Sequence, residues 1–127
     1  MFLLEALVIA SDELLNRIAD VLKAMADPTR LKILHSLHNG ERCVSEILEN
    51  VGGSQANVSK HLSVLKRAGL VDCRREGLNV YYRIIDEGVF TICRNVCDSL
   101  ELRIDREHQA IFQGRIEIEK AASKSDS

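Results

Sequence analysis

Residues 54–84 read SQANVSKHLSVLKRAGLVDCRREGLNVYYRI, and the spacing of the apolar residues changes once inside that stretch. Before Gly69 the apolar positions Val58, Leu62 and Leu65 recur at helical spacing, with Lys60, Lys66 and Arg67 off the stripe. Ser54 is a good N-cap for such a helix. After Gly69 the period falls to two. Val71, Cys73 and Arg75 alternate with Asp72 and Arg74, then Leu78, Val80, Tyr82 and Ile84 alternate with Asn79, Tyr81 and Arg83. Glu76 and Gly77 supply the turn, since glycine takes a positive φ without penalty. The expected local structure is a helix followed by a two-stranded hairpin with arginines at its tip.

The flanking segments extend this pattern. In RCVSEILENVGG, residues 42–53, Val44, Ile47, Leu48 and Val51 follow the i, i+3, i+4, i+7 rule, and Gly52-Gly53 is a turn. Two short helices joined by a tight glycine turn predict a helix-turn-helix. In ADPTRLKILHSLHNG, residues 26–40, Asp27 is the expected N-cap, Pro28 fits the first helical position, and Gly40 ends the segment. Leu31, Leu34 and Leu37 are its expected inward face. Further upstream, Leu14, Ile18, Val21, Leu22 and Met25 recur at helical spacing, capped by Ser11 or Asp12. The apolar run before them can be helical as well. From about Val89 a long amphipathic helix is expected, with Val89, Ile92, Cys93, Val96, Leu100 and Ile104 on one face; Gly114 weakens it and ASKSDS frays.

The fold class expected is mainly α with a β-hairpin wing: a winged helix-turn-helix, dimeric. The chain reads as a single domain spanning 1–127. Its parts are an N-terminal helix region at 1–26, a helix-turn-helix core at 27–69, a wing at 70–85 and a C-terminal helix at 88–122. The opening MFLLEALVIA carries Glu5, has no basic leader and is too short to span a bilayer, so a cytoplasmic protein with no membrane partner is expected. There the four cysteines stay as thiols unless something binds or oxidises them. No nucleotide-binding loop or Ser-His-Asp pattern occurs, and the reading is not an enzyme.

Formal net charge is −2, yet the charges are unevenly placed. Six basic and two acidic residues give the segment from Ser54 to Arg83 a charge of +4, which leaves −6 for the remainder. Local field decides where a polyanion docks, so this segment is the expected surface for double-stranded DNA. The terminal apolar stripes exceed what a small central unit can cover, and pairing of two copies is one way to bury them. Two recognition helices would then lie about 34 Å apart, one DNA turn. The expected DNA-reading residues are Ser54, Gln55, Asn57, Ser59, Lys60 and His61. Gln and Asn pair with adenine, and Lys contacts guanine or phosphate. Arg74 and Arg75 are expected to grip phosphate or the minor groove.

LKAMADPTRLKILHSL, ERCVSEIL, SQANVSKHLSVLKRAGLV and REGLNVYYRI occur in unbroken order over residues 22–86, and together they resemble the ArsR/SmtB family of winged-helix bacterial repressors. The resemblance implies a homodimer formed by the first and last helices, an operator with two-fold symmetry, and release when an inducer binds. Zinc-type members carry Asp-x-His and a later His-x-x-His on the last helix. Here Asp86 is kept, Gly88 stands at the first His, and His108 is alone. Arsenic- and cadmium-type members often carry ELCVCDL. Here ERCVSEI keeps Cys43 and has Ser45 in place of the second cysteine.

The thiols therefore need their own reading. Cys43 sits where Ser or Thr would start a capping box, with Glu46 at the third helical position. A helix N-terminus favours thiolate, while Glu46 opposes it. Cys93 and Cys97 are four apart and share a helix face, with Cβ atoms about 5–6 Å apart. A disulfide wants about 3.8 Å, so a soft ion or a bridge of extra sulfur atoms fits better. The inducer candidates are Cys93, Cys97 and Cys43, for a soft metal or metalloid ion such as arsenite or cadmium. A redox or reactive-sulfur (persulfide) signal at the same cysteines, and a constitutive DNA-binding module whose cysteines only pack, stay open. Cys73, in phase with Val71, reads as packing. His35 and His38 read as surface or capping residues.

Overall fold

The structure is a computed structural model and describes residues 11–125. The opening apolar run at residues 1–10, and any helix within it, lies outside the described residues. Two compact units make up the chain: a body ending at Glu87, and a helix that begins at Gly88.

The body begins with α1, Asp12–Met25, where the Ser11 hydroxyl accepts the Leu14 N–H at 3.3 Å. Asp12 and Glu13 lie in the first turn and Lys23 in the last, which suits the helix dipole. Helix α2, Pro28–Ser36, starts under the Asp27 carboxylate, which accepts from Thr29 N (2.9 Å) and Arg30 N (3.1 Å). It ends four residues before Gly40, because the chain tightens into turns from Leu37 onward. Its inward face is Ile33, Leu34 and Leu37, all nearly fully buried, and Leu31 is only half-buried. The leucine spacing concealed Ile33, which points directly into the core.

Arg42–Cys43 form β1, a two-residue strand that precedes helix α3, Val44–Val51. Gly52 and Gly53 both take positive φ (81° and 83°), a pair of conformations that side chains with a Cβ resist. Helix α4, Gln55–Arg67, follows, with the Ser54 hydroxyl accepting Asn57 N–H at 3.1 Å. Val58, Leu62 and Leu65 are fully buried against Ile33, Leu34, Leu37 and Ile47 in one core, as the helical period requires. Each such side chain contributes about 1.5–3 kcal/mol of apolar burial.

Strands β2, Val71–Glu76, and β3, Asn79–Ile84, form the hairpin, with Gly77 at φ 61°. Leu78 belongs to the turn and is fully exposed. The sheet has three strands in the order β1-β3-β2, because Arg42 pairs with Tyr82 and Cys43 with Tyr81. The two-stranded expectation is corrected by β1, whose two residues are too few to show a period. The register places Val71↔Ile84, Cys73↔Tyr82 and Arg75↔Val80 on one face, and Asp72↔Arg83, Arg74↔Tyr81 and Glu76↔Asn79 on the other.

The second unit is helix α5, Gly88–Ser125, of 38 residues. It passes through Gly114 unbroken, and a Cβ there would meet open space. A glycine costs a helix only about 1 kcal/mol, which a helix of this length absorbs.

Candidate nucleic-acid interface

With Val58, Leu62 and Leu65 turned inward, helix α4 presents Gln55, Asn57, Ser59 and Lys60 to solvent. The Ser54 oxygen is occupied by its cap. Seven residues after Lys60, and so on the same outward face, lies exposed Arg67. Arg67 lies off the buried stripe and outside the residues expected to read DNA, and its spacing of seven from Lys60 is the sequence signal that points to it.

His61 is half-buried, and its Nδ1 lies 3.2 Å from Arg30 Nη1. A guanidinium only donates, so Nδ1 accepts and the ring proton belongs on Nε2. Arg30 is itself anchored, donating through Nε to Ala24 O (2.6 Å) and through Nη2 to Lys23 O (3.2 Å). The Arg30 N–H, helped by the Thr29 N–H and the nearby Arg30 guanidinium, holds the Asp27 carboxyl below its ordinary value. An open cleft of about 510 Å³ runs beside these groups, lined by Lys23, Arg30 and Arg67 with one acid, Asp20.

The wing arginines are in different states. Arg74 donates to both oxygens of Glu41 at 2.6–2.9 Å and to Glu76 Oε2 at 2.7 Å, and its guanidinium stacks 4.8 Å from the Tyr81 ring centroid. The same contacts push Arg74 up and hold Glu41 down, the hydrogen bond between them being the main cause. Arg83 pairs with Asp72 at 3.5 Å. Arg75 is exposed and forms no hydrogen bond or ion pair among the described residues.

The four cysteines are free thiols. Half-buried Cys43 donates through Sγ to Glu46 Oε1 at 3.0 Å, and its backbone N–H reaches the same oxygen at 3.2 Å. Those two bonds, the thiol's first, hold Glu46 below its ordinary value. The Ser45 hydroxyl is 3.0 Å from the same sulfur. Cys73 is half-buried and takes a hydrogen bond from the Lys66 ammonium at 3.2 Å, which raises Lys66. It is thus a polar contact between α4 and β2 as well as a packing residue. On α5, Cys93 is half-buried and Cys97 exposed. Among the described residues no group of three or more His, Cys, Asp or Glu side chains gathers in a way that could hold a metal ion. Among the same residues no helix is long and apolar enough to cross a membrane.

Comparison with known proteins gives this geometry a family. Residues 27–72 match the model of the bacterial regulatory proteins of the arsR family. An uncharacterised HTH-type transcriptional regulator of Methanocaldococcus jannaschii is 42% identical over 82 residues, covering 64% of this chain and 92% of that protein. A probable mercury resistance operon repressor of Streptomyces lividans is 46% identical over 67 residues, 53% of this chain; the chain spans about half of that relative, 54% of its length. The homodimeric winged helix-turn-helix DNA-binding domain of a Mycobacterium bovis regulator, solved in solution, superposes with a TM-score of 0.63 at 41% identity, covering 69% of this chain and 87% of that one. The chain therefore belongs to the arsR family of bacterial regulatory proteins, and its α3–α4 pair and hairpin form the winged helix-turn-helix of a DNA-binding transcriptional regulator.

Proposed function

We propose that the protein is a homodimeric cytoplasmic repressor that leaves its operator when a soft metal or metalloid ion is captured by cysteine thiols. The observation that carries the DNA half is the exposed polar first turn of α4, braced from behind by three fully buried apolar residues. Gln55, Asn57, Ser59 and Lys60 face the major groove, with Ser54 and His61 at its edges and Arg74 and Arg75 on the wing. The two-fold pairing is supported by apolar residues left exposed on the terminal helices. Leu15, Ile18 and Leu22 stand on α1, and Val96, Leu100 and Ile104 on α5. On this reading residues 1–26 and 88–122 serve dimerisation, 27–69 is the DNA-reading helix-turn-helix and 70–85 the wing, all parts of one functional domain.

The inducer half rests on Cys93 and Cys97, one helical turn apart on α5, with Cys43 as a third candidate. Thiolates favour soft ions, and the mercury-resistance repressor among the relatives is named for one. A coupling of about 1–3 kcal/mol, a five- to 150-fold change in affinity, is enough to empty an operator. The test is gel retardation of duplexes from the protein's own upstream region at low ionic strength, with arsenite, cadmium, mercury and an organic persulfide as titrants. A metal or metalloid should release the DNA, and Cys93→Ser with Cys97→Ser should abolish release. Release by persulfide alone replaces the ion with reactive sulfur. An unaltered response in the double variant refutes a role for these two thiols.

A further inference from the structure

Arg74 and Arg75 are neighbours in sequence and identical in chemistry, yet the pleat of β2 sends them to opposite faces of the sheet. We infer that they have different duties: Arg75 meets the phosphate backbone, and Arg74 is a positioning residue that clamps the wing to the helix-turn-helix. The inference rests on the DNA-binding reading above and assigns roles within it.

The clamp crosses the whole sheet. Arg74 leaves β2, passes over the Tyr81 ring on β3, and ends on the carboxylate of Glu41, the residue just before β1. It thereby joins the two outer strands through side chains, while β3 joins them through the backbone. Because β1 leads directly into α3, the start of the helix-turn-helix is tied to the wing that must dock beside it. The bond set uses Nε, Nη1 and Nη2. A phosphate taking this guanidinium would have to displace two carboxylates and leave Glu41 and Glu76 facing a polyanion, and unpaired like charges at an interface are costly. Arg83, on that face too, forms a looser ion pair with Asp72 at 3.5 Å.

The opposite face is different. Arg75 shares it with Cys73, to which Lys66 reaches from the last turn of α4. Arg75 and Lys66 thus lie on the side of the sheet that meets the recognition helix, and among the described residues no carboxylate holds Arg75 there. Among the described residues, Arg75 is the wing guanidinium that no acid engages, and it is on the recognition-helix side.

Salt dependence separates the duties, since each phosphate contact contributes about −0.9 to the slope of log K against log salt. With a retarded promoter duplex, Arg75→Met should weaken binding and flatten the slope by about 0.9 for each protomer engaged. Arg74→Met should weaken binding with the slope unchanged. Glu41→Gln should weaken it in the same way, the double variant should be no worse than either single one, and Glu41→Arg with Arg74→Glu should recover part of the loss. If Arg74 instead binds phosphate, Glu41→Gln frees it and binding tightens, while Arg74→Met flattens the slope; either result overturns the assignment. Should Arg74→Met fail to fold by circular dichroism, the sign of the Glu41→Gln effect alone decides. Failure of the unaltered protein to retard any duplex defeats the DNA reading itself and this inference with it.

Discussion

The body and the terminal helix dispose of their apolar residues in opposite ways. In the body, Ile33, Ile47, Val58, Leu62 and Leu65 have no exposed surface at all. Along α5, Val96, Leu100, Leu102 and Ile104 are about half exposed, and Ile111, Phe112 and Ile118 about 70% exposed. Both regions follow a helical apolar period, so the period alone does not distinguish a core from an interface. The body closes on itself because α2, α3 and α4 are short and closely connected, α2 to α3 through β1 and α3 to α4 through the Gly52-Gly53 turn, so their stripes converge. A helix of 38 residues is about 57 Å long, beyond what one small body can cover.

That contrast can be broken in several ways. The largest effect should come from the body: Leu62→Ala should cost about 2–5 kcal/mol, read by urea unfolding, because a cavity opens among rigid neighbours. A cost below 1 kcal/mol would mean the core is less closed than its burial indicates. On α5 the same kind of residue should act through association. Leu100→Lys should lower the sedimenting mass while leaving the helical signal of the body in place, and an unchanged mass would remove the reason for pairing. Next, Ser54→Ala should cost about 1 kcal/mol, since it removes the cap of α4 and frees an N–H in its first turn. A loss of DNA affinity beyond that stability change would show that the hydroxyl also touches the duplex.

The smallest effect is in acid. Glu41, Glu46 and Asp27 are all held below their ordinary values, by Arg74, by the Cys43 thiol and by the Arg30 N–H respectively. A carboxylate depressed in the folded state adds stability that is fully present above the ordinary carboxylate range and is lost as pH falls through the folded value. Melting temperature should therefore be flat near neutrality and fall in acid. Glu41→Gln should make that fall shallower, and an identical acid profile in the variant would show that the clamp is not populated in solution.

Much of this was legible in the chain. The caps at Asp27 and Ser54, the Gly52-Gly53 turn, the Val58, Leu62 and Leu65 stripe and the Gly77 hairpin all come from local chemistry, where neighbours within four residues decide the outcome. The leucine spacing does not single out Ile33, because a stripe of leucines fits a helix nearly as well one position away, and only the packing of α2 against α3 and α4 selects the register. Strand β1 escapes a local reading because its partner, β3, is nearly forty residues downstream. The phase of Cys73 carries only its packing, and the Lys66 contact depends on where α4 ends relative to β2.

Local residue order dictates that a polar, capped helix stands on an apolar core beside an arginine-tipped hairpin, since those features depend on periods of 3.6 and two and on residues that start and stop them. It could not distinguish Arg74 from Arg75. That difference arises when the pleat turns one guanidinium toward Glu41, 33 residues earlier in the chain, and leaves the other on the recognition-helix side of the sheet. Charge pairing acts through space, so the roles of two identical neighbours were settled only when the tertiary structure chose what stood opposite each of them.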